Sequence, residues 1–135
     1  MTMANSRVFY AYTPHPDEEL KSYGIFERAT VAVRLNLTSE GPMFEYGVSI
    51  CSKEDNFNKQ VGRDLALISL EAGYGKTPFA KHYQDIADYY HEQNSENDGT
   101  ERATIRFVND LSNSVFLKLD KHRRKVGEFN KKYKV

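Results

Sequence analysis

Thr30-Val31-Ala32-Val33-Arg34-Leu35-Asn36-Leu37 alternates strictly between larger apolar side chains and small or polar ones. A period of two puts Val31, Val33, Leu35 and Leu37 on one face of an extended strand and Ala32, Arg34 and Asn36 on the other. No other stretch of the chain carries so clear a strand signal, and it commits the fold to a sheet. Thr38-Ser39-Glu40-Gly41-Pro42 follows with turn chemistry. Met43 to Cys51 then reads as a second strand, with Phe44, Tyr46, Val48 and Ile50 on one face. Two strands joined by a short Gly-Pro loop predict an antiparallel hairpin. Before it, Val8-Phe9-Tyr10-Ala11-Tyr12 is a short strand ended by Pro14 and Pro16. Asp17 to Tyr23 has room for one helical turn before Gly24.

After Cys51 the period changes. Ser52-Lys53-Glu54-Asp55 resembles a capping box with Asp in the last place. Phe57, Val61, Leu65, Ile68 and Ala72 then recur at helical spacing, which predicts a helix to about Glu71 with Gly73 as its C-terminal stop. Beside that apolar stripe runs a small one: Asn58, Gly62, Ala66, Ser69 and Gly73. Gly62 inside a helix costs about 1 kcal/mol against Ala, so something approaches the backbone closely there. A packed helix or strand accounts for this; a ligand or partner backbone flanked by Lys59 and Arg63 is the functional alternative. Thr77-Pro78 reads as the cap and first residue of a second helix, with Phe79, Tyr83, Ile86 and Tyr90 buried and an end near Gln93.

Asn94 to Thr100 is a polar loop. Arg102 to Val108 alternates and is expected to be a strand, paired with another at Val115–Leu119. Val115, Leu119, His122, Val126, Phe129 and Tyr133 also fit a helical stripe. A basic helix or tail then runs from about residue 120 to the end. The expected architecture is a single α+β domain over residues 1–135. It has an antiparallel sheet of about four or five strands, two helices packed on one face and a basic C-terminal segment at 120–135.

Composition sets the outer limits. With 135 residues there is room for one ordinary domain, and 13% aromatics against 28% charged residues argue for a packed core rather than disorder. One Cys excludes an intramolecular disulfide framework and a cysteine-rich zinc module. No apolar run approaches the roughly 20 residues of a membrane span, and Met1 to Arg7 lacks the apolar core of a secretory signal. A soluble, cytoplasmic protein is expected.

The formal net charge of zero hides an asymmetry. Residues 117–135 hold Lys118, Lys121, Arg123, Arg124, Lys125, Lys131, Lys132 and Lys134 against Asp120 and Glu128, a net of +6, which leaves −6 on residues 1–116. Such segregation marks either a solvated or internally docked helix face or a surface for a polyanion. Phe129 and Tyr133 are apolar anchors for docking, with the cations facing outward. Reversing Lys121, Arg123 and Arg124 to Glu is therefore expected to spare the melting temperature and weaken binding.

Catalytic motifs are lacking. Gly73-Tyr74-Gly75-Lys76-Thr77 imitates a phosphate loop, but Leu70 stands where the first Gly belongs. A lesser anion site is conceivable from Lys76 beside the amides that open the second helix. Cys51 has no local base, and a buried small thiol is the commoner role. His82 and His91 are nine apart, not the four of a helical metal pair. Asp85, Asp88 and Glu92 read as an exposed acidic face, and Tyr83, Tyr89 and Tyr90 as core and interface.

The 20 residues from Gly47 to Ala66 resemble a pattern in small bacteriophage accessory proteins. There an apolar strand runs into Cys-Ser, then Asp, Phe, a basic residue, Gly-Arg and Ala. The resemblance implies a phage accessory protein that works in the host cytoplasm by binding and inhibiting a host enzyme or defence protein. The expected function is thus a non-catalytic inhibitor of a host protein or nucleoprotein. The alternative is direct nucleic-acid or nucleotide binding by Lys118, Lys121, Arg123, Arg124 and Lys125, helped by Arg102 and Arg106. A homodimer is a further partner state; no cofactor, metal or membrane is expected.

Overall fold

A computed structural model describes residues 7–25, 27–51, 59–93 and 99–132. The elements are β1 (Val8–Tyr12), α1 (Glu18–Ser22), β2 (Arg28–Thr38), β3 (Gly41–Cys51), α2 (Lys59–Glu71), β4 (Gly75–Pro78), α3 (Lys81–Gln93) and α4 (Thr100–Lys132). The expected capping box at 52–55, with Phe57 and Asn58, lies outside the described residues, as do 94–98 and Tyr133.

The α+β class, the antiparallel sheet and the basic C-terminal helix are as expected. The sheet has four strands in the order β1-β2-β3-β4, each antiparallel to its neighbour. The β2–β3 hairpin turns through Ser39 and Glu40. Thr38 Oγ1 accepts from the Glu40 N–H at 3.2 Å and donates to the Gly41 carbonyl at 2.7 Å. Gly41 takes a φ of 113°, open to glycine at little cost. The single turn α1 is capped by Asp17, whose carboxylate accepts from the Leu20 N–H at 2.9 Å. That bond first, and Arg124 second, hold the Asp17 carboxyl below its usual pKa.

Alternation along β2 sorts two cores. Val31 and Val33 point to one side and pack with Phe44 and Val108. Phe44 stacks on Phe107 at 4.2 Å, and Phe79 and Tyr83 close the ring cluster at 4.9 and 5.4 Å. Ala32 points to the other side and packs with Ala66 and Leu70 of α2. Also on that side, Arg34 and Glu45 face each other in register and pair at 2.9 Å. The two helices expected on one face therefore lie on opposite faces: α2 on one, α3 with α4 on the other.

Two further expectations fail for clear reasons. Thr77-Pro78 does not open a helix but ends strand β4, which pairs Gly75–Pro78 with Met43–Tyr46. Edge position suits Pro78, which has no N–H to offer. Gly75 lets the strand lie against the Tyr46 ring, into which a Cβ would run. The helix waits until Lys81. Residues 102–108 and 115–119 are not strands; both belong to the 33-residue α4, about 50 Å long at 1.5 Å per residue. Between Thr100 and Val126 no Gly or Pro interrupts it. Its buried residues, Thr104, Val108, Ser112, Leu119, Arg123 and Gly127 among them, run at helical spacing.

Candidate functional site

The helix α2 is seated inside out. Its small residues face the sheet: Gly62 and Ala66 are buried, and so is Leu70. A Cβ on Gly62 would run into Thr30 Oγ1, and one on Gly47 of β3 would stand 2.8 Å from the Leu70 Cα. The backbones are thus almost in contact. Two side-chain bonds lock the seat. Ser49 Oγ donates to the Gly62 carbonyl at 2.9 Å, and the Val48 N–H donates to Ser69 Oγ at 3.2 Å. The close packing expected of the small stripe is what the structure has at Gly62, Ala66 and Ser69, whereas a Cβ on Gly73 would meet nothing among the described residues. Gly73 takes a φ of 82° beyond the end of the helix, as the C-terminal stop requires.

The apolar stripe of α2 is left on the outside. Val61 is 51% exposed, Leu65 49% and Ile68 62%. These three sit at i, i+4 and i+7, along one line of the helix surface. Asp64 and Glu71, both exposed, stand on the outward side of the same helix.

Lys59 and Arg63 lie on the opposite flank and meet β1. Arg63 Nη1 donates to Tyr12 Oη at 2.9 Å, and Lys59 Nζ sits 5.0 Å from the Tyr12 ring centre. Nearby, Arg28 Nη1 is 3.1 Å from His15 Nε2. The Arg28 charge, with desolvation and then Lys21 and Lys59 adding to it, holds His15 below its usual pKa. The sequence singled out Lys59 and Arg63 but missed Tyr12, Arg28 and His15, which only the fold brings to this corner. Gly62 belongs to packing and is not open to a ligand.

The remaining candidates separate. Lys76 is on β4, opposite Glu45 in register, and not beside a helix start, so the expected anion site there has no framework. Arg123 is withdrawn from the outward set. Its side chain is 1% exposed, bonded to the Glu27 carbonyl at 2.7 Å and to Asp120 at 3.2 Å. Arg124 pairs with Asp17 at 2.9 Å and Asp120 at 3.0 Å. The two arginines fasten α4 to the body, so their reversal is expected to lower the melting temperature and not to spare it. Arg106 pairs with Asp110 at 3.4 Å, and Arg102 lies over the Tyr90 ring at 5.2 Å. Lys118, Lys121 and Lys125 are exposed, share one helix face by their spacing and, among the described residues, form no ion pair.

Among the described residues, no group of three or more His, Cys, Asp or Glu is placed to hold a metal ion, and no helix is long and apolar enough to cross a membrane. Set against known protein families, curated proteins and solved structures, the chain matches none.

Proposed function

We propose that the protein is a non-catalytic binding protein of the phage accessory type, which docks on a host protein through the outward face of α2 and inhibits it. The observation that carries this reading is the inverted seating of α2. A helix that buries Gly62 and Ala66 while exposing Val61, Leu65 and Ile68 leaves its best apolar surface for something else. The i, i+4, i+7 line is the anchor pattern of a helix laid in a groove. Completing the burial of each half-exposed side chain is worth about 1 kcal/mol by area, a modest anchor per residue that needs shape and charge around it. Asp64 and Glu71 supply charge and favour a groove with a basic rim. The likeness of residues 47–66 to phage accessory proteins supports a host protein as the partner.

The test is capture from nuclease-treated bacterial lysate with the wild type, a Leu65→Gln/Ile68→Gln variant and a Lys118→Glu/Lys121→Glu/Lys125→Glu variant. A host protein held by the wild type and the lysine variant, but lost by the α2 variant, supports the reading. Capture that survives in the α2 variant overturns it. The lysine face of α4 favours a second reading, direct nucleic-acid binding. It requires oligonucleotide affinity that falls linearly with log salt and drops in the lysine variant.

A further inference from the structure

A groove of about 420 Å³ lies between the second half of β3 and the middle of α4. Its lining includes Val48 and Ile50 from the sheet, Leu111 and Val115 from the helix, and Tyr46 and Tyr74. The two rings meet edge to face at 6.0 Å. β4 pairs only as far as Tyr46, so the sheet narrows alongside the groove. Lys118 and His122 stand one helical turn apart on the lip, and no Asp or Glu lines the groove.

The cations on α4 differ in a way that matters here. Arg106, Arg123 and Arg124 each have an aspartate. Lys118, on the groove, has no ion pair among the described residues. An apolar slot with a few convergent polar groups at its mouth is the ordinary form of a small-molecule site, and its size falls within the roughly 300–1,000 Å³ of such sites.

We propose that this groove binds a small amphipathic carboxylate. Its apolar body lies between Val48 and Val115, and its carboxylate meets Lys118 and His122 at the lip. The charge at the mouth selects an anion, and the apolar walls select one with a hydrocarbon or aromatic body. This site is separate from α2 and does not rest on the host-protein reading.

The experiment titrates the full chain with octanoate and with octanol, which share a body and differ in charge, by calorimetry and amide NMR shifts. Octanoate is expected to saturate one site, with shifts centred on residues 46–50 and 111–122, and to bind about tenfold tighter than octanol. Lys118→Gln is expected to bring octanoate down to the octanol level and leave octanol unchanged. Ser114→Trp, at an exposed lip position, is expected to block both while leaving the melting temperature in place. Failure of octanoate to saturate, equal affinity for the two probes, or undiminished octanoate binding by Lys118→Gln overturns the proposal.

Discussion

Arg123 Nη1 donates to the Glu27 carbonyl at 2.7 Å, joining the C-terminal helix to the residue just before β2 across 96 positions of chain. Nη2 reaches Asp120 at 3.2 Å, while Nε, also buried, has no hydrogen-bond partner among the described residues. A guanidinium this dry is stabilising only because its bonds are made. Arg123→Ala leaves the Glu27 carbonyl unmet and is expected to cost about 2–3 kcal/mol. Arg123→Glu adds a carboxylate beside Asp120 and is expected to cost more. Lys121→Glu, on the exposed side, is expected to stay within about 0.5 kcal/mol. Urea unfolding of the three variants checks this; an Arg123→Ala midpoint equal to the wild type would show that α4 is held by its apolar residues alone.

Gly62 sits over Thr30, whose buried Oγ1 has no hydrogen bond among the described residues. On an exposed helix, Gly to Ala gains about 1 kcal/mol. Here the new methyl meets the Thr30 hydroxyl, and Gly62→Ala is expected to destabilise by about 1–3 kcal/mol through overpacking. Thr30→Ala removes the obstacle, so the double variant is expected to recover most of that loss. Chemical denaturation of the four-member cycle measures the coupling; additive effects would remove the close-contact argument.

The parts of the fold that could be read early are those whose pattern and packing agree. Val31, Val33 and Phe44 alternate and are buried as strands; Gly73 looks like a helix stop and takes a positive φ. Elsewhere a local pattern was overruled. Arg102 to Val108 alternates, but Thr104 and Val108 are buried one helical turn apart, and a seven-residue run cannot distinguish the two periods. Thr77-Pro78 has the chemistry of a helix cap, yet it pairs with Met43 and Phe44 of β3. The two-faced sheet has a signal of its own in the sequence. Thr30, Ala32 and Gly47 are small on one sheet face, as Gly62, Ala66 and Ser69 are on one helix face, and small surfaces match small surfaces. Nothing local in the sequence distinguishes Arg123, the cation that turns inward, from its exposed neighbours.

Tyr83 Oη donates to Asp110 at 2.8 Å beneath the aromatic cluster. Burial first, and the Asp110 carboxylate second, push its phenol up to about 12 from 10.0. The folded state therefore holds this proton more tightly than the unfolded chain. The resulting stability is complete below pH 10 and is lost as pH rises through about 12. Tyr83→Phe lacks both the bond and the titration. It is expected to be less stable than the wild type by about 1 kcal/mol below pH 10. That difference should shrink above pH 10 and change sign before the pH passes about 12, while all other ionisations cancel between the two proteins. Paired urea midpoints across the range measure it, and a constant difference would show that the fold does not raise the Tyr83 phenol.

Leu65 and Leu70 stand five residues apart on the same helix and test its inverted seating directly. Leu70 is 2% exposed beneath the sheet and touches Ala32 and Ala66, whereas Leu65 is 49% exposed. Truncating a buried leucine loses transfer energy and leaves a cavity, so Leu70→Ala is expected to cost about 2–5 kcal/mol. Leu65→Ala removes half-hydrated surface, leaves no cavity and carries better helix propensity; less than about 1 kcal/mol is expected. The order reverses if the stripe of Val61, Leu65 and Ile68 faces the core. A denaturant midpoint for each variant is therefore enough to decide which side of α2 belongs to the fold and which is left for a partner.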